Sequence, residues 1–190
     1  MKDNRLLVFD TETTGLTLHP NAPLSKQPKI IEFGAIILLN GEVEEEISFL
    51  IDPREILTEE IVKITGITDK DLVGQPSFAA RAPELAELFG RCGACAAHNL
   101  PFDEAMMMNE LRRFDLIADP LRPAPSETFP WPARKMCTVG MYKEQWGRNP
   151  RLVELYADIM GKPLAQTHRA LGDVKALVEI IQEEELWALA

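Results

Sequence analysis

The chain has 190 residues, of which 46% are hydrophobic and 26% charged, and a formal net charge of −10. That suits one soluble domain with a sizeable core, covering 1–190, and argues against a protein that grips long nucleic acid by bulk electrostatics. No apolar run reaches the roughly 18 residues of a membrane span. The first apolar run, Leu6 to Phe9, is too short for a signal-peptide core, so a cytoplasmic location with no membrane partner is expected.

Leu6 to Phe9 reads as a buried strand that ends at Asp10, with the chain turning away at once through Thr11-Glu12-Thr13-Thr14-Gly15. Residues 11–29 form a loop punctuated by Gly15, Pro20, Pro23 and Pro28. Ile30 to Leu39 and Val43 to Ile51 are β-branched-rich runs, and Asn40-Gly41 between them is a strong hairpin signal. Short helices are expected at 58–64 and 77–89, and a small-residue strand at 93–97. A helix is expected at 102–114, where Met106, Met107 and Leu111 repeat at helical spacing as core filler. Residues 117–132, with five prolines, should be an irregular loop. Helices are expected at 138–146, 151–160 and 169–189. Strands first, then helices mixed with strands, predict an α/β domain around a mixed sheet.

Charge is uneven along the chain. Glu42, Glu44, Glu45 and Glu46 crowd one strand, whereas 131–152 carries Arg134, Lys135, Lys143, Arg148 and Arg151 against Glu144 alone. That second stretch could form a local basic face for phosphate. Cys92-x-x-Cys95 with His98 has part of a zinc or redox spacing, but it reads better as two small buried residues flanking a core strand. His98 itself reads as a satisfied structural histidine.

Three short segments place acids where ligands bind. Asp10-x-Glu12 alone is uninformative: with 30 acidic residues, about one such pair arises by chance. Its position at a strand end is what counts, because residues two apart on a strand share a face and can converge on one cation. In His98-Asn99-Leu100-Pro101-Phe102-Asp103, a strand end meets a helix start, and Pro101 suits the first turn. His168-Arg169-Ala170-Leu171-Gly172-Asp173 opens the last helix, with Asp173 in its first turn and His168 on the preceding loop. An imidazole is suited to take a proton at neutral pH.

Together these segments resemble the three motifs of the DEDDh, or DnaQ-like, 3′→5′ exonucleases, typified by the epsilon-type exonuclease domains of DNA polymerase III. Phe9-Asp10-Thr11-Glu12-Thr13-Thr14-Gly15-Leu16 resembles the first, and the segments ending at Asp103 and Asp173 the second and third. Thr65-Gly66-Ile67-Thr68 and Lys135-Met136-Cys137-Thr138 are similar to two lesser landmarks. Arg169 stands where the tyrosine branch of the superfamily has its Tyr, which disfavours that branch. Gly172 replaces a commonly larger residue. The resemblance covers essentially the whole chain.

The resemblance implies an RNase H-like fold, a mixed β-sheet flanked by α-helices. It also implies a site in which Asp10, Glu12, Asp103 and Asp173 hold two divalent cations, Mg²⁺ with Mn²⁺ able to substitute, and His168 is the general base. Thr13, Leu16 and Phe102 sit where family members contact the 3′-terminal nucleotide. The implied reaction releases nucleoside 5′-monophosphates from DNA 3′ ends, single-stranded or frayed, free-standing or beside a polymerase partner in proofreading or repair. RNA 3′-end trimming is the close alternative. A non-catalytic nucleic-acid- or protein-binding module would be expected to have lost one of the five residues, and all five are present. No tail after the last helix is expected to tether a polymerase.

Overall fold

The computed structural model describes residues 4–119, 121–165 and 168–189. Pro120, in the predicted proline-rich loop, lies outside these, as do Met1, Lys2 and Asp3. Five strands form one sheet: β1 (Arg5–Thr13), β2 (Ile30–Leu39), β3 (Glu42–Leu50), β4 (Ala94–Ala97) and β5 (Arg134–Cys137), in the order β3-β2-β1-β4-β5. β1, β2 and β3 pair antiparallel, while β4 and β5 run parallel to β1. Eight helices complete the order among the described residues. They are α1 (Glu59–Thr65), α2 (Asp69–Leu72), α3 (Phe78–Gly90), α4 (Leu100–Asp115), α5 (Pro125–Thr128), α6 (Thr138–Trp146), α7 (Leu152–Met160) and α8 (Ala170–Glu183). None is long and apolar enough to cross a membrane.

Strand alternation sorts the core into two layers. Leu7 and Phe9 of β1, with Phe33 and Ile37 of β2, pack against Leu85 and Phe89 of α3 and Met106, Met107 and Leu111 of α4. Leu6 and Val8, with Ile36 and Leu38, pack against Leu155 and Tyr156 of α7 and Val174, Leu177, Val178 and Ile181 of α8. Each such side chain contributes about 1.5–3 kcal/mol on burial. In β1, therefore, odd positions face α3 and α4, and even positions face α7 and α8. The Met106–Met107 pair is core, as the helical spacing predicts.

The Asn40–Gly41 hairpin forms with both residues at positive φ, 53° and 87°, the conformation that lets a two-residue turn match the strand twist. Thr58 and Ser77 stand at the N-caps of α1 and α3, and Thr58 accepts a bond from the amide of Ile61. Cys92 and Cys95 are fully buried at β4. Burial pushes their thiols up to about 11 and about 12, respectively, which suits inert core residues.

The structure departs from expectation at several places, among them the short helix α2. β1 does not turn away at Asp10; it runs on to Thr13, held by pairing with β2 through a register shift between Glu12 and Thr13. β5 is a strand that the sequence pattern does not reveal. The proline-rich segment holds a short helix, α5, and buries Phe129 against Phe89 and Trp131, with ring centroids 5.1 and 5.0 Å away. The last helix stops at Glu183, and a 3₁₀ turn at Leu186–Leu189 comes after Glu185, whose φ is 51°.

Candidate active site at the end of the first strand

The parity of β1 decides which acids meet. Asp10 and Glu12, both even, point toward α8, where Asp173 occupies the first turn. Carboxylate oxygens of Asp10, Glu12 and Asp173 lie within 4.8 Å of one another. Thr11, between them, points the other way, toward α4. Its backbone amide and hydroxyl both donate to Oδ1 of Asp103, at 3.1 and 2.8 Å. Asp103 is buried, 2% exposed. It thus stands across the strand from the three-carboxylate group, tied to the residue between two of its members.

The crowding shows in the acidities. Burial, then the charges of Asp103, Glu12, Asp173 and Glu32, hold the Asp10 carboxyl well above the usual range. Glu12 is pushed up to about 8 by burial and then by Asp173, Glu32 and Asp103, with Arg169 opposing. Burial raises Asp103 to about 7 against the two bonds from Thr11. Acids this close resist ionising together, and a bound cation would relieve them. The donor set is all carboxylate oxygen, the chemistry that hard divalent cations prefer. On these grounds the residues fit a divalent metal.

A cleft of about 650 Å³ opens over the group. Asp10, Asp103, His168 and Asp173 line it, along with Leu16, Phe102 and Val139. Leu16 is 81% exposed at its mouth, and Phe102 is half-buried. Thr13 is placed differently. It is buried at the end of β1, and its hydroxyl donates to the carbonyl of Gly15 at 2.8 Å, fixing the turn that presents Leu16. His168 is exposed, just before α8, with a φ of 48°.

His98 is a structural residue, as expected. Its Nε2 lies 3.0 Å from the carbonyl of Pro150 and its Nδ1 2.9 Å from the hydroxyl of Thr138. Burial lowers its pKa, so the neutral ring donates from Nε2 and accepts at Nδ1. It thereby ties the Pro150–Val153 wall of the cleft to the end of β4. The basic face is less basic than the sequence suggests. Lys135 pairs with Glu104, and Arg148 and Arg151 both bond to Glu154, which lies just beyond the 131–152 stretch.

Glu32 is the residue that the sequence motifs do not single out. It sits opposite Glu12 in the β1–β2 register and is 1% exposed. Its oxygens accept from Nε and Nη2 of Arg169 and from the amide of Ala170. The one signal for it in the sequence is a lone carboxylate inside the otherwise apolar run Ile30 to Leu39.

Residues 7–181 match the model of the RNase_T family, described as exonuclease. The PolC-type DNA polymerase III of Clostridium perfringens is 31% identical over 180 residues, 95% of this chain and 11% of that protein. The chain therefore spans about a tenth of that relative's length. Among solved structures, a 3′-exonuclease described in specific recognition of histone mRNA stem-loop superposes with a TM-score of 0.73 at 15% identity, covering 98% of this chain and 83% of that one. The zinc-bound Escherichia coli ExoI–ssDNA complex superposes with a TM-score of 0.71 at 22% identity, covering 97% and 41%. These likenesses show the fold, the RNase H-like α/β arrangement anticipated from the motifs.

Proposed function

Since the chain belongs to the RNase_T exonuclease family, the DnaQ-like exonucleases, we propose that its carboxylate cleft hydrolyses the terminal phosphodiester of nucleic acid 3′ ends and releases nucleoside 5′-monophosphates. The observation that carries this is the convergence of Asp10, Glu12 and Asp173 within 4.8 Å, beside an open cleft that Asp10 and Asp173 line. Asp10, Glu12, Asp173 and Asp103 would hold two divalent cations, Mg²⁺ or Mn²⁺. When bound, such a pair stabilises the charge on the attacking and leaving oxygens of the phosphodiester.

The chain's own residues supply the rest. Asp10 and Glu12 leave β1 on one face, so their oxygens reach the same point. Asp173 closes the group from α8. Thr11 fixes the rotamer of Asp103 by two bonds to one oxygen, leaving its orientation set before substrate arrives. His168, on the cleft wall, takes the proton from the attacking water. Leu16 and Phe102 line the cleft with apolar surface suited to the face of the terminal base, whereas Thr13 acts by holding the Gly15 turn. Lys135 is paired with Glu104, and Arg148 and Arg151 share Glu154, which reduces the grip on a long strand, so the site reads the last few nucleotides.

DNA is the proposed substrate, because a relative matched over most of this chain is a DNA polymerase, and a polymerase is the proposed partner in proofreading or repair. The second reading, RNA trimming, is favoured by the likeness to the exonuclease that recognises an mRNA stem-loop. Incubation with labelled single-stranded DNA and matched RNA separates them. Degradation from the 3′ end should require Mg²⁺ or Mn²⁺, stop with EDTA and resume on adding metal. Intact 3′ ends of both polymers under Mn²⁺ would remove the proposal.

A further inference from the structure

A carboxylate at 1% exposure needs compensation, since burying an unpaired charge costs several kcal/mol. Among the described residues, the hydrogen-bond partners of Glu32 all come from one place, the start of α8. Arg169 Nε donates to both carboxylate oxygens at 3.1 and 3.0 Å, Arg169 Nη2 to Oε1 at 2.5 Å, and the Ala170 amide to Oε2 at 2.9 Å. The amide bond satisfies one donor at the helix N-terminus, where a negative charge is favoured. Two residues along β2, Gly34 shares the same face. A Cβ there would lie 2.5 Å from the amide nitrogen of Leu171 and 2.6 Å from the carbonyl carbon of Ala170. The α8 N-terminus is therefore both clamped at Glu32 and seated on the bare backbone of Gly34.

This seat decides where two site residues stand. His168 precedes Arg169 and holds a φ of 48°, a left-handed conformation that residues with a side chain adopt at a cost. Arg169 and Ala170, the next two residues, fix the chain on its C-terminal side through Glu32. Asp173 lies one turn further on, and its amide bonds to the carbonyl of Arg169 at 3.0 Å. Glu32 is not free to act as another metal ligand, because both of its oxygens are engaged.

We propose that Glu32 is a positioning residue of the exonuclease site, which clamps Arg169 and Ala170 and so sets His168 and Asp173 against Asp10 and Glu12. The inference rests on the proposed hydrolytic roles of those residues, but its test does not depend on activity alone. Glu32→Gln keeps the shape, removes the charge and leaves one acceptor oxygen. It should remain folded by circular dichroism, bind Mn²⁺ several-fold more weakly by calorimetry, and lose roughly 10- to 100-fold in kcat with KM within about threefold. Arg169→Gln, at a half-exposed side chain, should do the same, and Arg169→Lys should recover part of the loss.

Mn²⁺ affinity and kcat within twofold of the unaltered protein in both Glu32→Gln and Arg169→Gln would overturn the proposal. So would a lower melting temperature with unchanged Mn²⁺ affinity and kcat, which would mean that the clamp only stabilises the fold. If Glu32→Gln does not fold, the Arg169 pair decides by the same readouts. If the unaltered protein degrades no 3′ end, the hydrolytic reading fails, and Mn²⁺ affinity alone still decides the positioning role.

Discussion

At the scale of single residues, the site depends on the two-residue repeat of β1. Asp10 and Glu12 go to one side and Thr11 to the other, so one strand holds the three-carboxylate group and also orients Asp103. Asp10 is crowded by burial and by the charges of Asp103, Glu12, Asp173 and Glu32, which separates its proposed catalytic role from any structural one. Asp10→Ala should abolish turnover yet leave the fold intact, because it removes a charge that burial and its neighbours disfavour. His168 lies outside the three-carboxylate group. His168→Ala should therefore keep Mn²⁺ binding but lose about 10²–10⁴ in rate, the range of a general base. Single-turnover rates paired with calorimetric Mn²⁺ titration distinguish the two variants. Near-full activity of His168→Ala at neutral pH would remove it as the base.

At the scale of elements, α8 is gripped at both ends by the β2–β3 hairpin. Glu32 and Gly34 seat its N-terminus. At the other end, Gln182 Nε2 donates to the carbonyl of Gly41 at 2.7 Å, and a Cβ on Gly41 would fall 2.8 Å from the Trp187 ring. Gly41→Ala meets both the positive φ and the ring, and should cost roughly 2–4 kcal/mol in urea unfolding. It is remote from the carboxylates, so kcat/KM of the folded enzyme should stay near that of the parent. Much of this frame is legible in the sequence. Ile30 to Leu39 and Thr138 to Trp146 declare themselves by unbroken patterning, and Asn40-Gly41 by its tolerance of positive φ. β5 is not legible, because Arg134 and Lys135 are exposed and only Met136 is buried, too little alternation to mark a strand. The extension of β1 is hidden because pairing with β2, not local sequence, carries Thr11 to Thr13 onward. The four acids and His168 emerge from motif spacing. Glu32 escapes it because its partner, Arg169, is 137 positions away and only the folded chain joins them.

At the scale of the whole molecule, the crowded acids link stability to pH and to metal. Glu12 titrates near 8 and Asp103 near 7 in the folded chain, with Asp10 also raised, against about 4 for free carboxyls. Between those limits the folded state holds protons that the unfolded chain has released. Stability contributed by Glu12 and Asp103 is thus fully present below about pH 4 and is lost as pH rises through about 7 and 8, and the raised Asp10 acts in the same direction. This is opposite in sign to a salt-bridged carboxylate. A divalent cation binds the ionised form, so it should displace those protons and restore the loss. Melting temperature without metal should fall between pH 5.5 and 8. Saturating Mn²⁺, about 100-fold above its Kd, should raise it by roughly 5–10 °C at pH 8. The rise should be smaller at pH 5.5, where protons compete for the same oxygens. Asp10→Ala should flatten both trends, since it removes one proton site and one ligand together. A Mn²⁺-induced rise of equal size at both pH values would mean that the ion binds elsewhere than at these acids.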